Sequence, residues 1–120
     1  RVIAVMQPHR YSRLTGLLDE FAGCFADADI AIITPVYSAG ETAVGVDHRT
    51  LLERVRATGH THALQITGED ALAPTIAQLA RPGDLVIGLG AGTITTWVKA
   101  LPERLRALAV HPVAHAGAAE

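Results

Sequence analysis

Four short apolar runs, each closed by turn residues and each followed by a helical pattern, restrict this chain to very few folds. The runs are RVIAVM (1–6), DIAIIT (29–34), HALQIT (62–67) and DLVIGLG (84–90). Near-continuous apolar stretches of this length suit strands covered on both faces, as in a parallel sheet. In SRLTGLLDEFAGCFADA (12–28), Leu14, Leu17, Leu18, Phe21, Phe25 and Ala28 recur at helical steps, which predicts one amphipathic helix. Asp47 is placed to cap HRTLLERVRATG, with Leu51, Leu52 and Val55 as the apolar face and Gly59 as the stop. APTIAQLA (73–80) predicts a shorter helix with Pro74 in its first turn, and TITTWVKALPERLRALA (93–109) a helix broken or kinked at Pro102. Strand and helix in alternation predict a right-handed α/β wind around a mostly parallel sheet.

A chain of 120 residues, 49% hydrophobic and 18% charged, is sized for one packed domain. Ten basic against twelve acidic side chains leave a net charge of −2, which argues against a nucleic-acid partner held by bulk charge. The apolar runs are too short to span a membrane, and no signal peptide is visible. The single cysteine, Cys24, excludes an internal disulfide and fits a reducing compartment, so a cytoplasmic protein is expected. Cys24 lies on the apolar stripe, which predicts core packing rather than a reactive thiol. The chain starts at Arg1, and its only methionine, Met6, lies inside a strand run. That predicts a piece of a longer protein: a domain over 1–109, then a flexible Gly- and Ala-rich tail over 110–120.

In a parallel α/β sheet, ligands gather beyond the carboxyl ends of the strands. Three stretches belong there: QPHRYSR (7–13), PVYSAGE (35–41) and GLGAGT (88–93). Arg10 and Arg13 stand near a helix start, where guanidinium groups can grip a carboxylate or phosphate bidentately. His9, Tyr11 and Ser12 at the same strand end favour a site; the alternative pairs the arginines with Asp19, Glu20 or Glu41. Glu41, near Tyr37, binds an amine, orients an arginine, or is a plain surface carboxylate. GLGAGT fails the dinucleotide fingerprint, because Thr93 holds its last glycine position, and reads as a tight strand-to-helix turn. No Gly-x-x-x-x-Gly-Lys-Ser/Thr phosphate loop occurs anywhere in the chain. His60, His62, His111 and His115 lack supporting ligand spacing, so no metal site is expected. Trp97 is expected to anchor the last helix to the sheet.

RVIAVMQPHRYSR, VYSAGE, RPGDLVIGLGAG and LLDEF, in this order and spacing, resemble the C-terminal domain of the L-alanine-adding branch of the Mur ligases. The resemblance covers roughly Arg1 to Leu108. It implies a Rossmann-like domain, three-layered with helices on both faces, that closes over a central ATPase domain. It also implies ATP-dependent amide formation in peptidoglycan synthesis. There the lactyl carboxylate of UDP-N-acetylmuramate is phosphorylated and the L-alanine amine attacks the acyl phosphate. By that resemblance His9, Arg10 and Arg13 hold the alanine carboxylate and neighbouring phosphate charge, while Tyr37, Ala39 and Glu41 help to close the site. ATP and Mg2+ belong to the full-length enzyme with its N-terminal and central domains, and none is expected on this fragment alone. The family's acidic, Tyr and His-His stretch, usually found ahead of RVIAVM, is absent, so the domain is expected to lack its first strand and helix. A competing reading is a free-standing Rossmann-like nucleotide or anion-binding module centred on GLGAGT. A third is an interaction domain in which HRYSR meets a protein or RNA.

Overall fold

A computed structural model of the chain describes residues 1–43 and 45–110. The strands β1 (Val2–Met6), β2 (Ile30–Ile33), β3 (Ala63–Gln65) and β4 (Leu85–Leu89) form one sheet in the order β3-β2-β1-β4. Every neighbouring pair is parallel. All strand carboxyl ends therefore lie on one edge of the sheet, as the apolar runs predict.

Alternation of side chains about the sheet creates two cores. Ala4, Met6, Ala31 and Ile33 pack on one face with α1 (Tyr11–Gly16), α2 (Leu18–Gly23) and α3 (His48–Ala57), through Leu14, Ala22, Leu51 and Val55. Ile3, Val5, Ile30 and Ile32 pack on the other face with α4 (Glu69–Leu79) and α5 (Ile94–Val110), through Leu72, Ile76, Ile94 and Leu101. The result is the expected three-layer α/β fold. The chain changes faces between β3 and β4, so the loops after β1 and β4 diverge from a topological switch point. Such a point is where α/β sheets hold ligands.

Several local expectations are corrected. The predicted helix over 12–28 is two short helices, because Leu17 leaves helical geometry (φ −124°, ψ 26°) directly after Gly16. Leu17 is 43% exposed, whereas Phe25, just beyond α2, is buried. Cys24 is exposed rather than part of the core, and partial burial of its sulfur pushes the thiol pKa up, away from reactivity. α4 starts four residues before APTIAQLA, so Pro74 lies in its interior; Glu69 and Asp70 occupy its first turn, where acidic groups suit the helix dipole. α5 runs unbroken through Pro102, which is exposed, so the carbonyl that loses its partner can turn to water. Trp97 packs against the second core, as expected.

β4 departs from the both-faces pattern as well. Val86 is half-buried against the second core, and Gly88 lies so close to α5 that a Cβ there would come 2.4 Å from Val98 Cγ2. On the opposite face Leu85, Ile87 and Leu89 remain 57%, 37% and 38% exposed. The helices of that face cover β1 to β3 and stop short of this edge. The predicted tail over 110–120 lies outside the described residues except for Val110, which ends α5.

Candidate functional site

The three stretches expected at the carboxyl edge meet there. After β1 the chain continues through Gln7 and Pro8 to His9, which forms an isolated parallel bridge with Tyr37 from the loop after β2. The Tyr37 N–H donates to the Pro8 carbonyl at 2.8 Å, and the Arg10 N–H donates to the Tyr37 carbonyl at 2.8 Å. The His9 and Tyr37 rings stack, with centroids 5.4 Å apart and planes 19° from parallel. His9 Nδ1 is buried and has no hydrogen-bond partner among the described residues.

Arg10 stands between this bridge and α1 with φ 68° and ψ 135°, a region that side-chain-bearing residues rarely occupy. The backbone is fixed by the bond to Tyr37 while the guanidinium is left at the surface. Neither Arg10 nor Arg13 forms an ion pair among the described residues. Asp19, one partner proposed for them, instead pairs with Arg54. Arg13 is exposed on α1, one helical turn beyond Arg10.

Glu41 has a different occupation from those expected of it. Its carboxylate accepts from the Ser12 hydroxyl at 2.6 Å and from the Ser12 N–H at 3.1 Å. It therefore occupies an N–H in the first turn of α1, which is not free for an external anion. These bonds, the hydroxyl first, hold the Glu41 carboxyl below its ordinary range, with Arg10 adding a smaller charge effect. Ala39 and Gly40 both have positive φ, 52° and 89°, in the turn that brings Glu41 back, closed by the Glu41 N–H to the Ser38 carbonyl at 3.0 Å. The turn uses the backbone of Ala39, whose side chain is exposed. Farther on, Gly45 passes so close to α1 that a Cβ would meet Thr15 Oγ1 at 2.6 Å.

The Glu41 tie makes the loop sensitive to pH. A carboxyl whose folded pKa is lowered stabilises the fold above its unfolded pKa, and that contribution is lost as pH falls through the folded value. Thermal unfolding of the chain and of Glu41→Gln should therefore differ most above about pH 5 and converge in acid. A difference that stays constant from neutral to acid pH contradicts this.

Gln7 is the residue that sequence reasoning passed over. It is buried, 3% exposed, although it lies directly after an apolar strand. Its Nε2 donates to Thr93 Oγ1 at 2.8 Å, and its Oε1 accepts the Ile94 N–H at the start of α5 at 3.0 Å. The Gly90–Thr93 turn is closed around it. A Cβ on Gly92 would come 2.8 Å from Gln7 Oε1 and 2.6 Å from Tyr37 Cγ. GLGAGT is thus a close-approach turn already filled by two side chains of this chain, and it does not fit a phosphate cradle. The signal available in the sequence was a lone polar residue after VIAVM, facing a glycine pair two residues apart.

Both ring nitrogens of His60 have local partners: Nε2 lies 2.8 Å from the Ala28 carbonyl, and Nδ1 accepts the backbone N–H of His62 at 3.2 Å. His111 and His115 lie outside the described residues. A groove of about 540 Å³ beside β3 and α4 is lined by Leu64, Ile66, Pro74 and Leu79 among others. It contains none of the arginines and lies on the far edge of the sheet from the β1–β4 crevice. No helix among the described residues is long and apolar enough to cross a membrane.

No family model matches the chain. Among curated proteins, the chain is 54% identical over 106 residues, 88% of its length, to UDP-N-acetylmuramate–L-alanine ligase of Sinorhizobium medicae (strain WSM419). It is 53% identical over the same length to the ligase of that name from Rhizobium meliloti (strain 1021), and 54% identical to that of Brucella anthropi. The chain spans only about 22% of the length of the first two relatives. It is homologous to one segment of these ligases, in agreement with the resemblance carried by QPHRYSR and VYSAGE.

Proposed function

We propose that this chain belongs to the C-terminal domain of a cytoplasmic UDP-N-acetylmuramate–L-alanine ligase. Its carboxyl edge holds the incoming amino acid. The observation that carries the reading is Arg10: a surface guanidinium with no ion pair among the described residues, on a backbone held at φ 68° by the His9–Tyr37 bridge. A residue kept in that backbone conformation, its guanidinium without an ion pair among the described residues, is suited to an external carboxylate, which a guanidinium meets with paired hydrogen bonds.

In the full-length enzyme, ATP with Mg2+ supplies the activation that lets the muramyl carboxylate form an amide with L-alanine. The Gly90–Thr93 turn does not fit the nucleotide phosphates, so no step through them is assigned to these residues. The part of this chain is to bind and orient. Arg10 and Arg13 fix the carboxylate of alanine so that its amine faces the activated carbonyl, and the loop carrying Tyr37, Ala39 and Glu41 closes beside it. Orientation of this kind is a large part of what an enzyme contributes to joining two substrates. The filled Gly-rich turn counts against a free-standing nucleotide-binding module.

A structure of the full-length ligase carrying this chain, with L-alanine bound, tests the reading. The alanine carboxylate is expected about 3 Å from the guanidinium of Arg10 or Arg13. A carboxylate bound away from both arginines contradicts it.

A further inference from the structure

We propose that Gln7 is a positioning residue of this amino-acid site: its buried carboxamide ties the end of β1 to the start of α5 and, through Gly92, sets where Tyr37 and Arg10 lie. The inference rests on the ligase reading for its substrate, but its geometry stands apart from that reading.

A carboxamide this deeply buried is costly unless both its ends are satisfied. Both are: Nε2 has Thr93 Oγ1, and Oε1 has the Ile94 N–H. The Gln7 backbone adds an N–H bond to the Leu89 carbonyl at 2.9 Å, and a Cβ on Gly90 would approach the Gln7 carbonyl to 2.8 Å. Gln7 therefore joins the two strand ends that diverge at the switch point. Gly92 lies between the Gln7 amide and the Tyr37 ring with no room for a side chain. Tyr37 stacks on His9 and accepts the Arg10 N–H, so displacement of Gln7 passes through backbone and ring contacts to Arg10. A site that must aim an amine tolerates little such displacement.

Three variants separate positioning from mere support. Gln7→Met keeps the bulk and removes both side-chain hydrogen bonds, whereas Thr93→Val removes only one. Gln7→Glu, protonated when buried, can still donate to Thr93 and accept from Ile94. NMR on the 120-residue chain reads the Tyr37 and His9 ring signals and the exchange of the Ile94 amide. Kinetics on the full-length ligase carrying the chain read KM for L-alanine against kcat and against KM for ATP. The expected result is a lost ring stack and a KM for L-alanine raised about tenfold in Gln7→Met, with KM for ATP unchanged. Thr93→Val should show a smaller change of the same kind, and Gln7→Glu should restore KM to within about threefold of the parent. Intact stacking in folded Gln7→Met, or in Thr93→Val should Gln7→Met not fold, overturns the geometric half of the proposal. Lost stacking with an unchanged KM for L-alanine in an active enzyme overturns the link to the amino acid. Inactivity of the unmutated full-length protein instead overturns the ligase reading itself, and with it the amino-acid half of this proposal.

Discussion

Replacing Arg10 by glycine in the full-length ligase is expected to raise stability while removing most of the activity. The two effects have separate causes at one residue. Arg10 holds φ 68° and ψ 135°, where a Cβ is crowded and glycine is not. Such a conformation costs of order 1–3 kcal/mol. Glycine loses more chain entropy on folding, which offsets part of the relief, so a net gain of about 1 kcal/mol is expected. Arg10→Ala keeps a Cβ in the same region and should gain nothing. Both variants lose the guanidinium, and a hydrogen bond to a charged group is worth about 1.5–3 kcal/mol. KM for L-alanine should therefore rise roughly 10- to 100-fold in either variant. Lysine restores the charge but not the planar pair of donors, so Arg10→Lys should recover little. Denaturant unfolding and steady-state kinetics on the same preparations check both halves. A glycine variant that is less stable and kinetically unchanged would mean that the backbone of Arg10 stores no strain and its side chain meets no substrate.

The architecture was legible because it depends on features a one-dimensional pattern carries. Continuous apolar runs mark buried parallel strands, and a three- to four-residue recurrence marks the helices between them. The errors fall where tertiary context decides. Pro74 was given to a first turn because proline suits that position, yet the acidic pair Glu69–Asp70 already marked an earlier start. The break at Leu17 had only Gly16 to announce it. Leu85, Ile87 and Leu89 read as core by composition, and only the fold shows that they lie on a face of an edge strand that α1 to α3 do not cover.

For the site, residue types were legible and their partners were not. His9, Arg10 and Tyr37 were identifiable as donors at strand ends, and the structure joins them through one bridge and one ring stack. Glu41 was recognised as a candidate, but nothing in its spacing from Ser12 revealed that the two would bond, since a 29-residue separation is closed only by the fold. Arg13, named for its place near a helix start, and Ala39, named by resemblance alone, both remain at the surface. Gln7 was missed because a single amide after a strand is ordinarily a solvated strand end. Its partners, Thr93 and Ile94, lie more than 80 residues away.

The central claim is that this chain supplies the amino-acid-holding edge of a ligase and not its phosphoryl chemistry. Its sequence contains no Gly-x-x-x-x-Gly-Lys-Ser/Thr loop, and its Gly-rich turn is filled by Gln7 and Tyr37. The purified chain is therefore expected to fold but to release no L-alanine-dependent ADP from ATP and UDP-N-acetylmuramate. Activity should appear when the chain replaces the 106 residues it matches in the Sinorhizobium medicae ligase. With 54% of those residues identical, the graft is expected to fold and to keep L-alanine-dependent activity. The deciding measurement is L-alanine-dependent ADP release from the isolated chain and from the graft, assayed side by side. The account predicts none from the chain and a saturable rate from the graft. Ligation by the isolated chain, or a folded graft with no alanine-dependent release, would contradict it.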